Sequence, residues 1–192
     1  DLHVYAKIAM AQAQVESVVQ VEEGSPDDLA DKLAGMSNAK RKRAIDDQYE
    51  RIRMNLSNEI SKGLAEVERD GDKIIVRLAE RGSFRSGYAD LQPGFKPLLE
   101  KVGNSISQSS GLITIEGHTD NVPMAFSERF RSNWDLSAAR SAAVADYLLD
   151  NSNVAQGRVT IIGLADTKPL QSNGTSEGRS KNRRIEVIID GG

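Results

Sequence analysis

Asp120 and Arg140 stand in a segment, Thr114 to Arg140, that reads as a strand, a polar loop and a helix. An apolar alternation at Ile113 and Ile115 ends at Gly117, the loop carries Asp120 and Asn121, and a helix begins near Ser132 and presents Arg140. A carboxylate is a compact acceptor for an ammonium group, whereas a planar guanidinium grips a carboxylate through two parallel charge-assisted hydrogen bonds. The pair therefore suits a zwitterionic ligand. A plainer reading makes Asp120 a turn residue or helix cap, with Arg140 as its structural ion-pair partner.

Other residues gather around this pair. Leu136 lies one turn before Arg140 on the same helix face, placed to pack under an aliphatic chain. Thr119 and Asn121 offer hydroxyl, amide and backbone N–H groups to a ligand carboxylate. Asn182 and Arg184, at the opening of a final strand, are secondary candidates. Arg183 and Arg184 alternate across that strand, and a cross-strand charge pair with Glu186 is the ordinary reading of either. In the long loop from Val122 to Arg131, Phe126 or Phe130 either covers the site or fills a local surface cluster, and the second is the simpler expectation.

Catalysis is not expected, because an enzyme needs a nucleophile, a base or a metal with its supporting groups. His3 and His118 are the only histidines and there is no cysteine, so a zinc site or a serine triad lacks parts. Glu116 and Asp120 form a conceivable glycosidase pair. Glu116, however, falls on the strand face opposite Ile115. No metal or cofactor is called for.

The wider chain must position these groups. A length of 192 residues with 39% hydrophobic content supports one ordinary core with an appended helical segment. A net charge of −3 gives no basic excess to neutralise phosphates, which argues against nucleic acid as a partner. No apolar run is long enough to span a bilayer. The chain opens at Asp1 without an initiating Met, which fits a processed product or an excised fragment.

Residues 1–38 read as a partly flexible leader and linker, with a helix start at Ser25 to Asp28. From 39 to 70, Ile45, Tyr49, Ile52, Leu56, Ile60, Leu64 and Val67 recur at steps of three and four, predicting an amphipathic helix that packs on its own domain or at a dimer interface. The remaining residues, 71–192, begin with the turn at Gly71. Strands are predicted at Lys73 to Ala79, Leu112 to Glu116, Val159 to Gly163 and Arg183 to Ile189. Helices are predicted around Phe95 to Ile106 and from Asn133 to Leu149, with Ser132 and Asp135 spaced as a capping box. The fold class is an α/β sandwich, in the α+β sense: a four-stranded mixed sheet with helices on one face.

Three motifs in this part, in order and at matching spacing, resemble those of OmpA-like peptidoglycan-binding domains. They are Gly117-His118-Thr119-Asp120-Asn121, Leu136-Ser137-Ala138-Ala139-Arg140 and Asn182-Arg183-Arg184-Ile185-Glu186. Within that family, Ser132-Asn133-Trp134-Asp135-Leu136-Ser137 is similar to a run in the B subunits of bacterial flagellar stators. The resemblance implies noncatalytic binding of the peptidoglycan stem peptide, with Asp120 on the ammonium of diaminopimelate and Arg140 on its carboxylate. It also implies a periplasmic cell-wall anchor of the flagellar motor, needed for motility and held in the inner membrane by a single-pass segment outside this sequence. A homodimer, a stator A subunit as partner, and rearrangement of the segment before the domain belong to the same expectation. An outer-membrane or lipoprotein anchor of the same family is the alternative, and a peptidoglycan hydrolase is the rival of a different class.

Overall fold

A computed structural model describes residues 26–109, 111–124 and 129–191, and the chain divides into the units Asp1–Lys40 and Arg41–Gly192. Helix α1 spans Pro26–Asn55 and a short helix α2 spans Ser57–Ser61. Strands β1 (Ala65–Asp70) and β2 (Lys73–Ala79) follow, then a 3₁₀ turn at Pro93–Phe95 and helix α3 (Lys96–Ser107). Strand β3 (Ile113–His118), helix α4 (Asn133–Asn151), strand β4 (Val159–Gly163), helix α5 (Ser176–Asn182) and strand β5 (Arg184–Asp190) complete the order. Among the described residues no helix is long and apolar enough to cross a membrane.

The sheet is mixed and has five strands, in the order β1-β2-β5-β3-β4, with β3 and β4 parallel and every other pair antiparallel. The extra strand is β1, cut from the stretch read above as the end of a long helix. Gly63, at φ 68°, takes the left-handed conformation that closes a helix, and Ala65 and Val67 then alternate rather than wind. Asp70 pairs with Lys73 across the two-residue turn Gly71-Asp72, so β1 and β2 form a hairpin. At the other end of α1, residues 26–38 are helical rather than linker, with Pro26 at the first helical position, where its missing N–H costs nothing. The leader residues before Pro26 lie outside the described residues.

The apolar stripe of α1 packs on its own unit. Ile45, Ile52 and Leu56 are buried in the same core as Ile74, Val76 and Leu78 of β2 and Ile185, Val187 and Ile189 of β5. Helix α3 adds Leu98, Leu99, Val102 and Ile106, and α4 adds Val144, Ala145 and Leu148. Pro93 opens the 3₁₀ turn and Pro97 sits in the first turn of α3, the two places where proline is tolerated.

Helix α4 lies unusually close to β3 and β4. A Cβ at Gly117 would stand 2.1 Å from the Ser137 carbonyl oxygen, and one at Gly163 would stand 2.6 Å from the Ala138 backbone nitrogen. Ser141 Oγ donates to Ile162 O at 3.0 Å, and the Ala165 N–H donates to Ser137 Oγ at 3.1 Å, so polar groups fasten the close approach. Capping starts the helix where the sequence requires it: Ser132 Oγ accepts from the Asp135 N–H at 3.3 Å.

The other face of the sheet carries charge. Arg77 and Glu186 are directly opposed in the register of β2 and β5 and bond at 3.0 Å, and Arg184 bonds the same carboxylate oxygen at 2.7 Å. His118 is 1% exposed, and neither ring nitrogen has a hydrogen bond; Nε2 lies 3.4 Å from Glu116 without hydrogen-bond geometry. Glu116, His118 and Glu186 bring ligand atoms within 4.8 Å of one another. The arginines on Glu186 and Lys168, 3.6 Å from Glu116, already match the negative charge of this trio. Burial, reinforced by the positive field of Arg184, lowers the His118 pKa to about 4.

Two stability predictions follow from this packing. Gly117→Ala forces Ser137 and the start of α4 away from β3 and should cost about 3 kcal/mol or more, read as a lower urea midpoint. His118 is protonated near pH 6.5 when unfolded but only near 4 when folded, so the unfolded state binds more protons between those values. Its contribution is complete above that window and declines as pH falls through it. From pH 7 to 5 the loss should be about 2 kcal/mol, and His118→Asn should remove that part of the slope in urea titrations at the two pH values.

Candidate functional site

Beyond the ends of β2 and β3, a cavity of about 770 Å³ opens between the loop after β2, the loop after β3, the start of α4 and helix α5. Asp120, Arg140, Thr119 and Leu136 all line it. The strand-to-helix unit thus brings the carboxylate and the guanidinium to one cavity, and Leu136 lines it from the same helix as Arg140. Asn121, by contrast, is exposed and does not line the cavity.

Asp120 and Arg140 are not each other's partner. Two further residues, Glu80 and Arg183, stand between them in an alternating row. Arg140 Nη2 bonds Glu80 Oε1 at 2.6 Å, Arg183 Nε bonds Glu80 Oε2, and Arg183 Nη1 bonds Asp120 Oδ2 at 2.6 Å. Two cations and two carboxylates make the row neutral overall. For Arg183, burial opposes the charge, but hydrogen bonds to Asp120 and Glu80 win and raise its pKa. For Arg140 burial wins over Glu80 and lowers the pKa, and a guanidinium so shifted still stays charged at neutral pH.

Arg140 is 2% exposed and also organises the loop after β2. Its Nε donates to Tyr88 O at 2.9 Å and Nη2 to Arg85 O at 3.3 Å, while the guanidinium lies 5.0 Å from the centre of the Phe84 ring. Those carbonyls turn inward because Arg85 to Tyr88 form a tight turn, closed by the Tyr88 N–H on Arg85 O, with Gly87 at φ 74° supplying the left-handed position. The Tyr88 ring has two cationic neighbours: Arg85 is 4.9 Å and Arg129 5.0 Å from its centroid. The bonds recorded leave the two Nη1 hydrogens of Arg140 uncommitted. The Nε and Nη2 donors are thus committed to the fold, and the donors Arg140 has to spare are those of Nη1.

The loop that carries Asp120 is tied at both ends. Its Oδ1 accepts the Val122 N–H at 3.0 Å, and Asn133 Nδ2 donates to Asp120 O at 3.2 Å and to Val122 O at 3.0 Å. Thr119 spends its hydroxyl on Asp120 O at 2.9 Å and its N–H on Ala165 O at 2.8 Å. It builds the loop and has no donor left for a ligand. Asp120 keeps spare lone pairs, since a carboxylate has about four acceptor sites and only two bonds are made here.

The secondary candidates change places. Asn182 is fully buried and serves the 170–173 loop, accepting from Leu170 N at 2.7 Å and Gln171 N at 3.0 Å and donating to Gln171 O and Asn173 Oδ1. Arg184 points to the opposite sheet face, onto Glu186, Asn182 O and Lys168 O. The neighbouring Arg183 is the residue that enters the cavity. Phe130 does not line it, and Phe126 lies outside the described residues.

Residues 83–183, just over half of the chain, match the model of the OmpA family. The chain belongs to the OmpA family. Among curated proteins it is 35% identical over 125 residues to Motility protein B of Bacillus subtilis, covering 65% of this chain and 48% of that protein, so it spans about half the relative's length. Among solved structures, the cell wall anchor of the T6SS from Pseudomonas aeruginosa is 34% identical with a TM-score of 0.68, covering 74% of this chain and 98% of that one. A putative MotB-like protein from Desulfovibrio vulgaris is 29% identical with a TM-score of 0.71, covering 77% and 94%. Glu80, which joins the two arginines of the row, precedes the segment matched to the OmpA family.

Glu80→Ala should therefore be costly, since it leaves Arg140 and Arg183 facing each other around a lost carboxylate of low exposure. A loss of about 3 kcal/mol in urea denaturation is expected, with Glu80→Gln intermediate.

Proposed function

We propose that this OmpA-family chain is a noncatalytic peptidoglycan-binding anchor, holding the zwitterionic head of diaminopimelate between Asp120 and Arg140. The observation that carries the reading is the convergence of these two groups, from a loop and a helix, on one cavity with Leu136 beside them. A diaminopimelate head is neutral overall and so is the row of four charges, so binding adds no net charge to a partly buried site. Its ammonium takes the remaining lone pairs of Asp120, its carboxylate takes Nη1 of Arg140, and its methylene chain lies over Leu136. Arg183 Nη2 is a further donor within the cavity.

The larger assignment is to the stator of the flagellar motor: a periplasmic domain, joined to an inner-membrane segment and a stator A subunit, and working as a homodimer. The likeness to Motility protein B and to a MotB-like structure supports it, together with the Ser132-Asn133-Trp134 run. The likeness to a cell wall anchor of another machine favours the anchoring role itself. An outer-membrane or lipoprotein anchor would share the ligand and differ in location. The residues upstream of Asp1 separate the two readings, by a single transmembrane helix in the first case and a lipobox or barrel strands in the second.

Cosedimentation with purified sacculi tests the site. Asp120→Asn keeps the side-chain shape but removes the charge, and should weaken binding by about 2 kcal/mol, roughly thirtyfold. Arg140→Lys is the cleaner partner variant, because alanine would strand the Arg85 and Tyr88 carbonyls as well. Free diaminopimelate should displace the protein, and Nα-acetyl-lysine amide, which offers an ammonium with no carboxylate beside it, should not. Binding that survives Asp120→Asn and ignores diaminopimelate refutes the assignment, and release of soluble fragments from sacculi would make the protein a hydrolase.

A further inference from the structure

On the sheet face opposite Arg183, a second cavity of about 220 Å³ is lined by Arg184, the next residue in the chain. Lys62, Arg77, Arg81 and Lys181 also line it, and Glu66 is the one carboxylate among the lining residues. These side chains come from the α2–β1 connection, from β1, from β2 and the residues just after it, from α5 and from β5. Leu64 and Leu170 supply apolar wall.

The charges do not cancel. Glu66 is taken by Lys181 at 2.8 Å, and Arg77 is shared between Glu68 and Glu186, which Arg184 also bonds. Counting those three carboxylates against the five cations leaves two positive charges in surplus, on a chain whose net charge is −3. The surplus belongs to Lys62 and Arg81. Among the described residues Lys62 makes no ion pair, and it adds only a small field to those that hold Glu59 below its ordinary pKa, behind the Lys101 hydrogen bond that dominates there. Arg81 has no ion-pair partner among the described residues.

We propose that this cavity binds a phosphate ester, with Lys62 and Arg81 as its principal donors. A single arginine fork satisfies a carboxylate, but a phosphate presents three acceptor oxygens and suits cations arriving from separate segments, lysine among them as a point charge. The volume holds a phosphate with a few carbon atoms, and Leu64 and Leu170 face that short body. The cavity shares no lining residue with that of Asp120 and Arg140, so either site can fail without the other.

The test is an NMR titration of the full chain with sn-glycerol 3-phosphate at constant ionic strength, with lactate as a carboxylate of similar size. Glycerol phosphate should shift the amides of residues 62–66, 79–81 and 180–184 saturably. The Lys62→Gln, Arg81→Gln double variant should weaken that binding about tenfold or more, while shifts elsewhere and sacculi cosedimentation stay unchanged. Both positions are exposed, so the variant should keep its fold. Cosedimentation with phosphatidylglycerol but not phosphatidylcholine vesicles, lost in the variant, would assign the ester to a lipid headgroup. Glycerol phosphate binding without vesicle binding would assign it to a soluble or polymer-borne polyol phosphate. An absence of saturable shifts, equal shifts with lactate, or shifts retained by the double variant would overturn the proposal.

Discussion

The closeness of α4 to β3 and β4 is the constraint on which the rest of the molecule depends. Without side chains at Gly117 and Gly163, the Ser137 carbonyl and the Ala138 backbone settle directly on the strands. The helix start is thereby fixed against the strand end, and Arg140, two turns along, comes down beside the loop that Asp120 begins. Serine hydroxyls at 137 and 141 satisfy backbone groups of the neighbouring strand and loop, so the contact is polar and directional rather than greasy.

From that geometry follows the electrostatic order of the site. Opposite charges alternate through Arg140, Glu80, Arg183 and Asp120, each neighbour screening the next from the cost of burial. Arg140 combines two tasks, since three of its donors hold the loop after β2 and the Glu80 carboxylate while the residue also lines the cavity. Consecutive arginines divide their labour by strand parity: position 183 joins this row, and position 184 joins the charged ladder on the other face.

Much of this was legible in the sequence. The meeting of Asp120 and Arg140 at one cavity, the cap at Ser132, strands β2 and β4 and the tolerated prolines were all written in local patterns of period two and period 3.6. The missed parts have a common cause, the end of a pattern. A helical stripe through Ile60, Leu64 and Val67 hides a strand in which Ala65 and Val67 alternate, and the left-handed Gly63 ahead of them decides the matter. Glu80 and Arg183 were recoverable by extending period two one step beyond the strands: Ile74, Val76 and Leu78 lead to 80, and Ile189, Val187 and Ile185 lead back to 183. Asn182 and Arg184 attracted attention instead because their side chains looked chemical. One proves to be loop scaffold and the other serves the far face. Helix α5 is too short to announce itself by periodicity, and its cap at Thr175 was the available sign.

The order of the strands gives the molecule a late keystone. β5 is last along the chain yet occupies the middle of the sheet, with β2 on one side and β3 on the other. Until it arrives, the β1–β2 hairpin and the β3–α4–β4 unit are two halves with bare, apolar inner edges and no shared ladder. Assembly must close contacts across more than a hundred residues of sequence, from Ile74 to Ile189, which makes for slow folding and an extended period of vulnerability to stray strand pairing. A chain emerging end first into a crowded compartment would need its unfinished halves shielded until that insertion occurs.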